Sequence, residues 1–260
     1  MIELKNVSKT YGTKQALKNM NVTIKPGEIF GLIGHNGAGK STAIKSLVSI
    51  IEPSEGEIWV DGEQLSKNRL NIKKRIGYVS DSPDMFLRLT AAEYWNLIAV
   101  AYEVSEEEKT RQLKKFMDLF DMTEHQFEMI SSFSHGMRQK TFIIGALLPN
   151  PDIWILDEPM TGLDPQASFD LKELMRNHAA EGNIVLFSTH ALEIAQQLCN
   201  HIAILKKGEI LYDGTTQDLL AQNENESLET IYLKLAGRQS ESELEKSESY
   251  ERSTLFGRGE

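Results

Sequence analysis

The stretch Gly34-His35-Asn36-Gly37-Ala38-Gly39-Lys40-Ser41 matches the phosphate-binding pattern G-x-x-x-x-G-K-[ST]. A short apolar run, residues 28–33, comes before it and is typical of a buried parallel strand. Apolar side chains then recur at the spacing of one helix face, at Ile44, Leu47, Val48 and Ile51. The order of strand, glycine-rich turn and helix favours a phosphate site over an ordinary glycine turn.

The chemistry of such a loop follows from its backbone. Glycines let several N–H groups converge on phosphate oxygens, and the N-terminus of the following helix adds the positive end of its dipole. We expect Lys40 to reach the β- and γ-phosphates of a nucleotide and the Ser41 hydroxyl to ligate Mg²⁺.

Composition limits the classes of protein that fit. The 260 residues are 40% hydrophobic and 25% charged, which is ordinary for a globular chain long enough for one large domain or two small ones. The formal net charge of −10 argues against a protein that coats nucleic acid. The single cysteine, Cys199, excludes an intrachain disulfide and fits a reducing compartment. We expect no signal peptide and no membrane-spanning helix, because neither the N-terminus nor any apolar run has the required pattern.

The first third of the chain predicts antiparallel strands. Apolar and polar residues alternate over residues 2–30, which is typical of a sheet with one solvated face, and Ile58-Trp59-Val60 is predicted to continue it. Another strand is predicted over residues 75–81. A helical block follows, with capping boxes predicted at Thr90/Glu93 and Ser105/Glu108.

The rest of the chain alternates strands and helices. A helix is predicted to begin near Ser134, a buried strand at residues 153–156, and a helix with Asp164 as N-cap and Pro165 in its first turn. A further strand, residues 184–187, and a closing hairpin, residues 202–212, complete the pattern. Residues 238–260 are rich in Ser and Glu and are predicted to be a disordered polar tail.

Three groups of polar residues are candidates for chemistry. Asp157 and Glu158 follow an apolar strand, where carboxylates of open α/β sheets meet their ligands, and His190 ends another strand. Asp157 is a candidate for the Mg²⁺ site, and Glu158 for the base that activates water. His190 by itself is as consistent with a structural histidine. Ser134 and Gly136 form a second anion site at a helix N-terminus, or simply its cap.

Together these motifs resemble the ATP-binding cassette (ABC) family over about residues 1–222. The resemblance implies roles for the following residues: Tyr11 stacking on adenine, Gly34, His35, Asn36, Gly37, Ala38, Gly39, Lys40, Ser41 and Thr42 as the phosphate loop, Asp157 with Mg²⁺, Glu158 as catalytic glutamate, His190 as switch histidine, Ser134 and Gly136 as the signature, and Asp164 in the dimer-contacting loop.

The resemblance also implies a fold and partners. The fold is α/β, a P-loop NTPase core with a mixed parallel sheet, an antiparallel β subdomain and an inserted helical subdomain at about residues 82–149 of a 1–237 domain. Two nucleotide-binding subunits, identical or different, would close on two ATP molecules and drive a separate transmembrane permease at the cytoplasmic face of the membrane. No nucleic-acid partner is expected.

Two motifs depart from the family pattern. The signature, usually Leu-Ser-Gly-Gly-Gln, is Phe133-Ser134-His135-Gly136-Met137, so the contacts of His135 and Met137 are not carried over. The glutamine that usually follows the strand at residues 76–79 is replaced by Asp81, which we keep as a candidate metal ligand. Export is the favoured role. The alternatives are an ABC ATPase acting on ribosomes or nucleic acid, and a regulatory ATPase that moves no solute.

Overall fold

The computed structural model describes residues 1–81, 84–223 and 226–237. The predicted polar tail, residues 238–260, lies outside the described residues. The strands, in chain order, are β1 (Ile2–Tyr11), β2 (Lys14–Ile24), β3 (Ile29–Ile33), β4 (Glu55–Val60), β5 (Glu63–Gln64), β6 (Ile76–Val79), β7 (Ile153–Asp157), β8 (Ile184–Thr189), β9 (His201–Lys206) and β10 (Glu209–Thr215).

Helices alternate with the later strands. They are α1 (Lys40–Leu47), α2 (Arg69–Lys73), α3 (Ala91–Ala101), α4 (Glu106–Leu119), α5 (His135–Leu147), α6 (Pro165–Ala180), α7 (Leu192–Leu198), α8 (Thr216–Gln222) and α9 (Leu228–Leu235). Within the described ranges, no helix combines the length and the apolar character needed to cross a bilayer.

Two sheets form the framework. The N-terminal strands make an antiparallel sheet in the order β2-β1-β4-β5, with Ile2 of β1 facing both Ile24 and Val60. The second sheet has the order β10-β9-β3-β8-β7-β6 and is parallel except for the antiparallel β9–β10 hairpin. This mixed α/β arrangement confirms the predicted fold class.

The parallel sheet divides the hydrophobic core into two layers. Successive side chains of a strand point to opposite faces. Ile29 and Ile33 of β3 therefore pack with the later helices, whereas Phe30 and Leu32 pack in the layer formed by α1 and the antiparallel sheet. Because both faces are covered, β3, β7 and β8 are buried along their whole length. The carboxyl ends of these three strands therefore project their last residues toward one edge of a rigid sheet.

Capping residues in the sequence predicted the start of several helices correctly. Thr90 and Glu93 form the predicted reciprocal capping box of α3, and Asp164 caps α6 with Pro165 in its first turn. The second predicted box is half right: Ser105 accepts from the Glu108 N–H at 3.2 Å, but the Glu108 carboxylate binds Arg111 and Gln112 instead.

Helix α1 is shorter than its apolar spacing indicates. It ends at Leu47, and Ser49 adopts a left-handed conformation (φ 56°). The N–H groups of Ile50 and Ile51 then both return to the carbonyl of Lys45. This tight reversal takes Ile51 off the helix, although its position in the sequence continues the apolar face.

Candidate functional site

The phosphate loop lies between β3 and α1, as its flanks predict. Gly39 precedes α1 with φ 116°, a conformation that favours glycine, and no side chain caps the helix. A Cβ on Gly39 would lie 2.7 Å from the carbonyl oxygen of Ala16. The loop therefore requires glycine here, and the first turn of α1 has no side-chain acceptor to compete with a phosphate.

A cleft of about 440 Å³ opens over this loop. It gathers residues from distant parts of the sequence: Tyr11, Lys14, Ala16, His35, Asn36, Gly37, Ala38, Gly39, Lys40, Ser41, Thr42, Asp81, Glu158, Thr161 and His190. Tyr11 lines the cleft and is 47% exposed, so part of its ring is accessible there. The cleft brings together most of the residues that the sequence singled out.

Lys40 links the loop to the carboxylates at the end of β7. Its ammonium is buried, donates to the carbonyl oxygen of Gly34 at 2.6 Å, and lies 3.1 Å from Glu158 Oε1. The other carboxylate oxygen of Glu158 lies 2.9 Å from His190 Nδ1. Lys40, Glu158 and His190 thus form a continuous polar chain across the floor of the cleft.

Asp157 lies beneath this chain and is 1% exposed. Its Oδ1 accepts a hydrogen bond of 2.5 Å from the Ser188 hydroxyl. Its Oδ2 is buried without a hydrogen-bond partner among the described residues. A buried carboxylate oxygen with no partner is costly, which makes this atom a candidate metal ligand.

The electrostatic setting of Asp157 agrees with that role. Burial raises the pKa of its carboxyl group, the hydroxyls of Ser188 and Ser41 oppose the rise, and the charges of Asp81 and Glu158 add to it. A cation placed among these carboxylates would relieve their mutual repulsion. Among the residues that the structure describes, no group of three or more His, Cys, Asp or Glu side chains is placed to hold a metal alone.

Three predicted site residues lie away from the cleft. Ser134 caps α5 by accepting from the Met137 N–H at 3.2 Å, and Asp164 caps α6 and pairs with Lys140 at 2.9 Å. Gly136 is packed so closely that a Cβ there would lie 2.6 Å from the carbonyl oxygen of Gly162. Within one chain these residues do not reach the phosphate loop.

Ser188 is a site residue that sequence reasoning missed. Its hydroxyl donates to Asp157 and accepts from the Glu158 N–H at 3.0 Å, so it orients the Asp157 carboxylate and the backbone of Glu158. Its place just before Thr189 and His190 at the end of an apolar strand was a usable signal, because neighbouring strands end at the same edge of the sheet.

Comparisons with known proteins agree with this geometry. The sequence profile described as ABC transporter matches residues 17–161. The chain belongs to the ABC transporter family. It is 33% identical to the ABC transporter ATP-binding protein NatA of Bacillus subtilis (strain 168), over 90% of this chain and 97% of that protein. It is 34% identical to the bacitracin transport ATP-binding protein BcrA of Bacillus licheniformis, over 86% of this chain and 72% of the relative.

Solved structures of ABC proteins share the fold. One, described as the ATP-binding subunit of an ABC transporter, has a TM-score of 0.85 and 34% identity over 90% of this chain and 99% of its own. Another, a dimeric ATP-binding cassette in a post-hydrolysis state with ADP and Pi, has a TM-score of 0.76 and 28% identity over 83% of this chain and 99% of its own. This ABC protein is accordingly an ATP-binding subunit and an ATPase.

Proposed function

We propose that this ABC subunit pairs with a second nucleotide-binding subunit around two ATP molecules and drives export through a separate membrane subunit at the cytoplasmic face of the membrane. The observation that carries the pairing is the division of the site. The cleft holds the phosphate loop and the carboxylates, whereas Ser134 and Gly136 lie elsewhere in the chain. A relative named for Nod factor export, 28% identical over 85% of this chain and 73% of its own length, supports export as the role.

Within the cleft, the backbone of residues 34–42 and Lys40 hold the phosphates, and Tyr11 stacks on the adenine. The exposed ring of Tyr11 suits this because an aromatic face is available without rearrangement of the core. Lys9 places its ammonium 5.3 Å from the centre of that ring, which restrains the ring through a cation–π contact.

We propose that Ser41 and Asp157 hold Mg²⁺, with Asp81 as a third oxygen donor, direct or through water. The unpartnered Oδ2 of Asp157 supports the set, and Ser41 and Asp81 line the same cleft. When bound there, Mg²⁺ would supply positive charge that offsets the negative charge of the phosphates. An unchanged Mg²⁺ dependence in an Asp81→Asn variant would remove Asp81 from this set.

Glu158 is proposed to accept the proton of the attacking water, with His190 orienting it. In the described conformation Glu158 Oε1 is paired with Lys40 and Oε2 with His190. A terminal phosphate attracts Lys40 and frees Oε1 to accept a hydrogen bond from water, while the contact with His190 keeps the carboxylate in place.

The second subunit supplies the missing groups. The Ser134 hydroxyl and the N–H groups at the start of α5 form an anion site, and Gly136 permits close approach of a phosphate. Asp164 belongs to the loop that touches the other chain. A solved relative that is a dimer with ADP and Pi supports this arrangement.

The membrane subunit is proposed to dock in an apolar groove of about 400 Å³. The groove lies where the helical insertion, residues 82–149, meets β6, and its walls include Tyr78, Tyr94 and Phe142. Met85, on its rim, is 82% exposed. Ser80 in the wall is adjacent to Asp81 in the cleft, so an apolar helix seated in the groove would lie next to the nucleotide site.

The proposed function is tested by purifying the tagged full chain from a detergent extract of its own cells. We expect a multi-helix membrane protein to co-purify, and a Met85→Glu variant to lose it while still binding ATP, because a charge on the rim opposes apolar docking. Phe127→Glu is the matched control, since Phe127 is 76% exposed but does not line the groove. Co-sedimentation with ribosomes and no membrane protein would contradict the proposal.

A further inference from the structure

The C-terminal helix α9 contacts the phosphate loop directly. The backbone N–H of His35, the second residue of the loop, donates a hydrogen bond of 3.1 Å to the hydroxyl of Tyr232. The two residues are 197 positions apart in the sequence. Tyr232 does not line the nucleotide cleft, so its hydroxyl acts on the loop and not on a ligand.

Helix α9 is itself firmly held. Leu228 and Ile231 are buried in the core, and α9 packs on α7, where the Leu228 N–H donates to Gln196 Oε1 at 2.9 Å. Just beyond the helix, Lys206 Nζ donates to the carbonyl oxygen of Ala236 at 2.5 Å. Because the helix is fixed at both ends, the bond to Tyr232 restrains the loop more than it restrains the helix.

The hairpin of β9 and β10 also restrains the loop. The Gly208 N–H donates to the carbonyl oxygen of Ala38 at 2.8 Å. A Cβ on Gly34 would lie 2.6 Å from the carbonyl oxygen of Leu205. These are contacts of the backbone, whereas the contact from α9 is made by one side chain, which a conservative substitution can remove.

We propose that Tyr232 is a positioning residue for nucleotide binding: by accepting from His35, it holds the entry of the phosphate loop in the shape that receives ATP. A loop ordered before binding loses less conformational freedom when the phosphates arrive, so the affinity rises. The inference rests on the ATP-binding part of the proposed function and is independent of the membrane subunit.

The test compares two tyrosines of the full chain. Tyr232→Phe keeps the ring and removes the acceptor, and we expect the Kd and KM for ATP to rise about three- to tenfold with kcat unchanged, the size expected for one hydrogen bond. Tyr212→Phe is the control, because the Tyr212 hydroxyl donates to the Thr215 carbonyl at 2.9 Å and does not contact the loop. Its Kd should equal that of the wild type.

Thermal unfolding without nucleotide separates positioning from general stability. We expect the two variants to have similar Tm values without ATP, and Tyr232→Phe to show the smaller rise in Tm when ATP is added. A Tyr232→Phe variant that binds ATP with the wild-type Kd would overturn the inference, whether or not its Tm is lower. Failure of the wild-type chain to bind ATP would instead contradict the proposed function on which the inference depends.

Discussion

At the scale of single residues, Glu158 has the most constrained environment in the site. It follows the last residue of β7 with φ 51°, in the left-handed region that a non-glycine residue rarely adopts. Its N–H is held by Ser188 and its two carboxylate oxygens by Lys40 and His190. Such backbone strain occurs where surrounding contacts over-determine a conformation, and it turns the carboxylate into the cleft and away from the sheet.

Glu158→Gln should abolish ATP turnover while retaining ATP and stabilising the dimer. The amide has nearly the same shape but does not take a proton from water, so we expect phosphate release to fall by at least about 100-fold. Phosphate release and size-exclusion chromatography with ATP measure the two effects.

Glu209→Gln is the matched control for this change, because Glu209 also pairs with a lysine, Lys18, at 2.8 Å but on the surface. Its turnover should match that of the wild type. If the Glu158→Gln chain binds ATP but remains monomeric when its partner subunit is present, the proposed closure of two subunits around two ATP molecules is contradicted.

At the scale of elements, helix α5 connects the helical insertion to the nucleotide site. Gln139 donates to the carbonyl oxygen of Pro159 at 3.2 Å, and Lys140 pairs with Asp164, so the helix is tied to the loop that follows the carboxylates. Gly136 allows its N-terminus to approach Gly162 of the same loop. A shift of α5 therefore moves the loop after Glu158 as well.

Two serine N-caps of similar geometry separate the functional role of the α5 N-terminus from its contribution to the stability of the protein. Ser134 caps α5 and Ser105 caps α4, each accepting an N–H at 3.2 Å. Replacing either with Ala should cost about 1 kcal/mol of stability. Only Ser134→Ala should also lower ATPase activity and ATP-dependent dimerisation, because only this hydroxyl is proposed to meet the other subunit's ATP.

Urea unfolding measures the stability of these two variants, and ATPase assays measure their function. Equal loss of activity in both would assign the effect of Ser134 to helix stability alone. Activity unchanged in Ser134→Ala would remove the hydroxyl from the proposed composite site.

At the scale of the whole molecule, the two-layer core also buries a histidine. His178 of α6 packs edge-on against Trp154 of β7 with ring centres 5.7 Å apart, and its Nε2 has no hydrogen-bond partner among the described residues. Burial lowers the pKa of His178; the charges of Glu181 and Asp152 and a bond with the Pro151 backbone oppose this. The ring is therefore more readily protonated in the unfolded chain than in the folded one.

Stability should accordingly fall as the pH drops below the ordinary histidine value of 6.5. Below pH 6.5 the unfolded chain binds one more proton at His178 than the folded chain does, so acid favours unfolding. Well above pH 6.5 the ring is neutral in both states, and the loss of stability disappears. We expect urea midpoints at pH 7 and pH 5 to differ less in His178→Gln than in the wild type. Asp157 is present in both proteins, so its effect on the pH dependence of stability cancels in the comparison. An equal pH dependence of the urea midpoint in the wild type and in His178→Gln would contradict the prediction.

Much of the fold was predictable because its signals are local. Thr90 with Glu93 and Asp164 with Pro165 mark helix starts by contacts within four residues, and the apolar runs of β3, β7 and β8 mark buried strands. The end of α1 was misplaced because the chain reverses at Ser49 against the apolar periodicity. Helices α8 and α9 were not predicted at all, although Leu228 and Ile231 have helical spacing.

The phosphate loop and the carboxylate pair could be read from the sequence, since each is a run of adjacent residues, and the family from the order of such short motifs along the chain. Only the tertiary structure decided which groups meet. The Lys40–Glu158–His190 chain and the contact of Tyr232 with His35 join residues from separate elements. The physical reason is that such contacts depend on which strands are neighbours and how helices pack, and pairwise geometry of this kind leaves no local pattern in a single sequence.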